Sequence, residues 1–144
     1  PCPPELKLDP GLNFFEAWGG ISGAQSSLEL MFHEGVNVRG LPVTQIAALL
    51  AEQPARRFGL DHRKGSIKLG LDADLVLLNP NHSYILSAED LYYRHKHSPY
   101  ASMTLSCKVS ATISRGAVVY TAEQGLLIED GGQWLRVSEG QSSL

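Results

Sequence analysis

Three stretches of this 144-residue sequence place chemistry-bearing residues at suggestive spacing. His95-Lys96-His97 sets two imidazoles two positions apart, an arrangement that metal sites use. Asp72 and Asp74 are also two apart, which on a strand would put both carboxylates on one face, as a metal or acid–base pair requires. The third stretch is the loop Ala17-Trp18-Gly19-Gly20-Ile21-Ser22-Gly23. Its glycines let the main chain approach a flat ligand closely, where backbone N–H and C=O groups can match alternating donors and acceptors. Cys2 is a fourth candidate, but a thiol nucleophile needs an activating base, and the sequence supplies none nearby.

The first twenty residues, rich in proline and glycine with Phe14, Phe15 and Trp18 among them, read as an ordered loop. Ser22 and Gln25 have capping-box spacing, and Leu28, Met31 and Phe32 form an apolar stripe, so a helix is expected over 23–34 with Gly35 closing it in the left-handed conformation. Val43, Ile46, Ala47, Leu49 and Leu50 mark a second helix that Pro54 should interrupt, leaving one further turn from Pro54 to Gly59. Beyond residue 60 the pattern changes. The alternating Gly65–Gly70 segment and the apolar run Leu75–Leu78, ended by Asn79-Pro80, read as strands. Ser87 to Asp90 resembles a capping signal for a brief helix through Tyr93. Lys108–Ile113 and Ala117–Thr121 read as strands joined at Arg115-Gly116, and Gln133–Val137 as a last one. A break near residue 60 thus separates a helical part from a β-rich part.

Composition narrows the functions available. The net charge of −3, with 19% charged residues and no like-charge block, argues against nucleic acid or an anionic membrane surface as partner. A small neutral molecule suits it better. No apolar run reaches the roughly 18 residues of a membrane span, and no basic-then-apolar leader is present. The two cysteines, Cys2 and Cys107, lack metal-knuckle spacing and are expected as reduced thiols in a cytoplasmic protein. Opening on Pro1-Cys2-Pro3-Pro4 without an initiator methionine, the chain reads as an interior segment of a longer polypeptide.

Residues 54–60, Pro-Ala-Arg-Arg-Phe-Gly-Leu, the segment KGSIKLGLDADLVLLNP at 64–80, and the hairpin around Thr112–Gly116 together resemble the cyclic amidohydrolases. Narrower similarity, to the allantoinase family, comes from Pro1–Glu5, from Glu16–Gly23 and from Tyr93–Tyr100. Relatives acting on hydantoins or dihydropyrimidines carry Asn where this chain has Trp18, which makes that residue the discriminator. The resemblance implies an α/β fold: the C-terminal portion of a (β/α)₈ barrel plus part of a small β-sandwich. Residues 1–60 would be the loop and helices that follow the eighth barrel strand. Residues 61–144 would be mainly sandwich, with a short helix and loop near 87–100 packing on the barrel.

For function, the resemblance implies hydrolysis of allantoin to allantoate by a cytoplasmic homotetramer holding a divalent metal pair, two zinc ions per full-length subunit. A metal pair acidifies a bridging water into a nucleophile for the amide carbonyl. The family's metal ligands and its general base precede the segment matched here, so no catalytic or metal residue is assigned within this chain. It is expected to bind no metal and to be inactive alone, since a (β/α)₈ barrel takes about 250 residues. The main chain at Trp18 and Gly19 is the expected substrate contact. The alternative is that the loop glycines only lead into a tightly packed helix. His95 and His97 then fall far downstream of the family's His-x-His ligands and are expected to be structural. Asp72 and Asp74 are expected to organise a turn, and His33, His62 and His82 to be solvated. Three rival readings remain: a dihydropyrimidinase or hydantoinase, a non-catalytic scaffold relative, and an autonomous β-rich binding module.

Overall fold

The computed structural model describes residues 3–128 and 131–135. After a 3₁₀ turn at Pro4–Leu6, helix α1 (Ser27–Met31) runs into a π-helical stretch, Phe32–Val38. Helix α2 (Val43–Ala47) passes through a second π-helical stretch, Ala48–Glu52, into α3 (Gln53–Arg57). Six strands follow: β1 (Leu75–Asn79), β2 (Tyr84–Ile85), β3 (Thr104–Leu105), β4 (Lys108–Ser114), β5 (Ala117–Thr121) and β6 (Gly125–Leu126). They form an antiparallel four-stranded sheet in the order β1-β4-β5-β6 and a small β2-β3 pair.

The first helix starts later than its capping signal suggests. Gln25 does not reach back to Ser22; its amide bridges the Asp90 carbonyl and the Tyr92 N–H, at 2.9 and 2.8 Å. Gly35 does not close the helix either. It lies buried in the π stretch, where an added Cβ would sit 2.6 Å from Ile46 Cδ1. It therefore allows the Phe32–Val38 stretch and α2 to approach closely, and Gly40, at φ +68°, makes the left-handed exit. Pro54 leaves the second helix unbroken. The Gln53 N–H bonds five residues back to the Ala48 carbonyl, and this wider turn makes room for the proline ring just where an α-helical carbonyl would collide with it.

Three expected elements of the β-rich part are not formed. The 65–70 segment pairs with no strand among the described residues, and Ile67 and Leu69 stand fully out in solvent. Alternation alone makes no strand, because the strand needs a ladder partner. At Ser87–Asp90 the capping contacts exist: Glu89 N–H donates to Ser87 Oγ and Ser87 N–H to Asp90 Oδ2, at 3.2 and 3.1 Å. They close two successive turns that do not propagate into a helix. Residues 133–135 form no strand, and positions 136–137 of that expectation lie outside the described residues.

Where the turn chemistry is local, expectation and structure agree. Arg115 and Gly116 both have positive φ, 47° and 84°, as the tight β4–β5 hairpin demands. One buried cluster is Leu86, Leu91 and Leu105, with Leu30, Tyr84, Tyr93 and Tyr100 packed around it. It joins α1 to the 84–105 segment and so fixes where the glycine loop leaves the body of the protein.

Candidate functional site

The glycine loop is held at both ends. At its far end the Ser98 hydroxyl donates to the Ser22 carbonyl at 2.6 Å, and Gly23 lies so near Tyr100 that a Cβ there would meet the ring at 2.8 Å. Gln25 N–H donates to the Tyr93 hydroxyl at 2.8 Å. The Tyr93–Tyr100 segment thus serves as the loop's anchor. At its near end the Trp18 N–H donates to the Leu6 carbonyl at 2.8 Å, and the Lys7 ammonium donates to the carbonyls of Trp18, at 3.1 Å, and Gly20.

Between these anchors the loop borders a cleft of about 460 Å³, lined by Leu6, Lys7, Trp18, Gly19, Gly20 and His97 among others. The Trp18 N–H is already donated to Leu6, its carbonyl accepts from Lys7 with one lone pair still available, and the residue is 62% exposed, so the carbonyl and the indole are what it can offer a ligand. Gly19 differs. Its N–H and C=O have no partner among the described residues, its φ is not positive, and a Cβ placed on it would meet nothing within 4 Å. Among the described residues neither packing nor backbone conformation requires glycine there. Gly20, at φ +80°, does need its freedom, whereas Gly23 is the one tightly packed glycine of the loop.

The other chemical candidates have structural partners. Asp72 accepts from Arg63 and Lys64, each at 2.9 Å, while Asp74 pairs with Lys64 and accepts the Arg115 N–H at 2.8 Å. This clasp ties the end of the helical region to the β4–β5 hairpin. The Lys64 hydrogen bond, then its charge and that of Arg63, holds Asp72 below its ordinary range against the opposing effect of burial. For Asp74 burial is the largest influence and pushes upward, but Lys64 and the Arg115 amide outweigh it. His62 and His82 are exposed, but His33 is half-buried, with Nδ1 3.0 Å from Ser106 Oγ, so the solvated reading fails for it. Among the described residues no group of three or more His, Cys, Asp or Glu could hold a metal.

His97, expected to be structural, lines the cleft, and sequence reasoning missed two residues: Lys7, which lines it too, and Glu29, buried on the inner side of α1. Its carboxylate accepts from the Tyr84 hydroxyl at 2.6 Å and the Val109 N–H at 2.7 Å, beside a second cavity of about 600 Å³ between α1 and the sheet. No spacing rule could have found these pairings, whose partners lie 55 and 80 positions away in the chain.

The helices and antiparallel sheet that carry the loop have counterparts among known proteins. Residues 9–120 match the model of the amidohydrolase family, and the chain belongs to that family. Among curated proteins it is similar to the allantoinase of Escherichia coli O139:H28, 46% identical over 94% of this chain. The allantoinase of Salmonella newport is 45% identical over the same share. The chain spans 29% of the length of these relatives. Among solved structures it resembles L-hydantoinase (dihydropyrimidinase) from Arthrobacter aurescens, with 31% identity and a TM-score of 0.76 over 81% of this chain and 26% of that one. It also resembles D-hydantoinase from a Thermus species, with 25% identity and a TM-score of 0.80 over 88% of this chain and 28% of that one. Among the described residues no helix is long and apolar enough to cross a membrane.

Proposed function

We propose that this chain supplies the substrate-facing loop and much of the β-sandwich of an allantoinase, which opens the hydantoin ring of allantoin by hydrolysis to allantoate. In this reading residues 1–60 follow the last strand of a (β/α)₈ barrel and residues 61–144 belong mainly to the sandwich. The enzyme would be a cytoplasmic homotetramer. Gly19 carries the reading: an open, unpaired main-chain position in a cleft, glycine where the chain's own fold would accept a side chain. Its N–H and C=O would bond a carbonyl and an N–H of the ring, and the Trp18 indole would lie against the ring's flat face. The 46% identity to an allantoinase favours allantoin over the hydantoins and dihydropyrimidines named for the structural relatives.

The residues described do not provide a ligand set for the divalent metal pair, two zinc ions, that the family resemblance implies. No step of the proposal is therefore routed through it; the part assigned to this chain is binding and orienting the ring.

The test is a substrate panel of allantoin, hydantoin and dihydrouracil on the full-length polypeptide that carries this chain. Allantoin is expected to be hydrolysed fastest, and the 144-residue chain alone to hydrolyse none. Gly19→Ala, which meets no neighbour in the fold, should leave the melting temperature unchanged and raise KM on the order of tenfold. Preference for hydantoin or dihydrouracil, or an unchanged KM in the glycine variant, would overturn the assignment.

A further inference from the structure

One cation, the Lys7 ammonium, bonds two carbonyls of the glycine loop. Resting on the ring-binding reading above, we infer that Lys7 is the positioning residue for ring recognition, acting through the carbonyls of Trp18 and Gly20. Those two carbonyls are separated by a single residue and converge on one ammonium. Without a cation, two carbonyl dipoles brought this close repel each other, and the curl of the loop between them would open. What that curl leaves unpaired is the main chain of Gly19, the position assigned to the ring.

Little else fixes this part of the loop. Trp18 and Ile21 are 62% and 65% exposed, and Gly19 and Gly20 meet nothing within 4 Å where a Cβ would stand. The anchors at Ser22 and Gly23 begin only after the ring-facing stretch has ended. At the near end the remaining tie is the Trp18 N–H to the Leu6 carbonyl, made by the residue beside Lys7. The 3₁₀ turn Pro4–Leu6, with its Lys7 N–H donated to the Pro4 carbonyl at 3.0 Å, holds the lysine's own backbone in place. A short structured turn thus presents a cation, and the cation shapes a loop that has almost no packing of its own.

An ammonium has three donors, of which the two carbonyls use two. Among the described residues no acidic side chain lines the cleft, so the ammonium's third donor suits the carbonyl oxygens of a ring amide and the carboxylate released when it opens.

The experiment compares wild type, Lys7→Met and Lys7→Arg in the full-length polypeptide, by steady-state kinetics on allantoin, thermal melting and amide hydrogen exchange of residues 18–20. The methionine variant should raise KM on the order of tenfold with kcat changed by less than about threefold, because a contact made in ground and transition states alike is lost. Its melting temperature should be unchanged, while exchange at Trp18 accelerates about tenfold as the loop opens. Arginine, which keeps the charge and several donors, should restore most of the KM. Unchanged exchange and KM would overturn the inference, as would a loss of melting temperature and kcat at constant KM, the signature of a merely structural lysine. Failure of wild type to hydrolyse any member of the substrate panel would sink the functional reading. Hydrogen exchange would still report whether Lys7 shapes the loop.

Discussion

Replacing Glu29 by alanine should be among the most damaging single substitutions in the protein. The residue is 8% exposed, and its carboxylate accepts two hydrogen bonds, from the Tyr84 hydroxyl and the Val109 amide, thereby tying α1 to β2 and β4. Hydrogen bonds to a charged group contribute about 1.5–3 kcal/mol each, and stranding the two donors adds a desolvation cost, so Glu29→Ala should lose about 3–5 kcal/mol. That is a large part of the roughly 5–15 kcal/mol that holds a typical domain together. Glu29→Gln should cost only about 1–2 kcal/mol. Its carbonyl can still accept from Val109, and its NH₂ can donate to the Tyr84 hydroxyl oxygen, which accepts as readily as it donates. Tyr84→Phe removes one donor and should cost about 1.5 kcal/mol, with a coupling of about 1–2 kcal/mol in the double variant. Urea unfolding followed by circular dichroism measures all four proteins. A Glu29→Ala variant within about 1 kcal/mol of wild type, or strict additivity with Tyr84→Phe, would refute this account of how the helix is joined to the sheet.

Two pH effects follow from the same structure. Asp72 and Asp74 are held below their ordinary value of 3.8, so their contribution to stability is complete above that pH and is lost as pH falls through the depressed values. Melting temperatures between pH 5 and 2 should fall in wild type and fall less in Lys64→Met, which lacks the ammonium shared by both carboxylates; parallel curves would count against the clasp. At the alkaline end, burial foremost and then the nearby Glu29 charge push the Cys107 thiol from 9.0 up to about 11. The folded state keeps that proton longer than the unfolded one, so stability should decline between pH 9 and 11, an effect that Cys107→Ala removes in part, because burial and Glu29 raise Tyr84 as well. The native thiol should also resist alkylation until the protein unfolds, and rapid labelling at pH 8 would contradict its burial.

What the sequence determined by itself was local. The β4–β5 hairpin was legible because two adjacent residues, Arg115 and Gly116, carry the turn in their own backbone preferences, and β1 because Asn79-Pro80 ends an apolar run. The left-handed turn at Gly20, at φ +80°, was open to the sequence for the same reason: backbone freedom is a property of the residue. What only the tertiary structure decided was every feature that needs a distant partner. Pro54 passes through a helix because a π-helical turn precedes it, and residues 65–70 stay out of the sheet because no strand pairs with them among the described residues. The capping signals at Ser22 and Ser87 lose to contacts between the loop and the 90–100 segment or close turns that stop short of a helix. Lys7 gripping two carbonyls 11 and 13 positions away, and Glu29 reaching strands 55 and 80 positions on, were invisible for one physical reason. Spacing along a chain encodes only the neighbours that a helix, strand or turn brings together, and these contacts arise when separate elements pack.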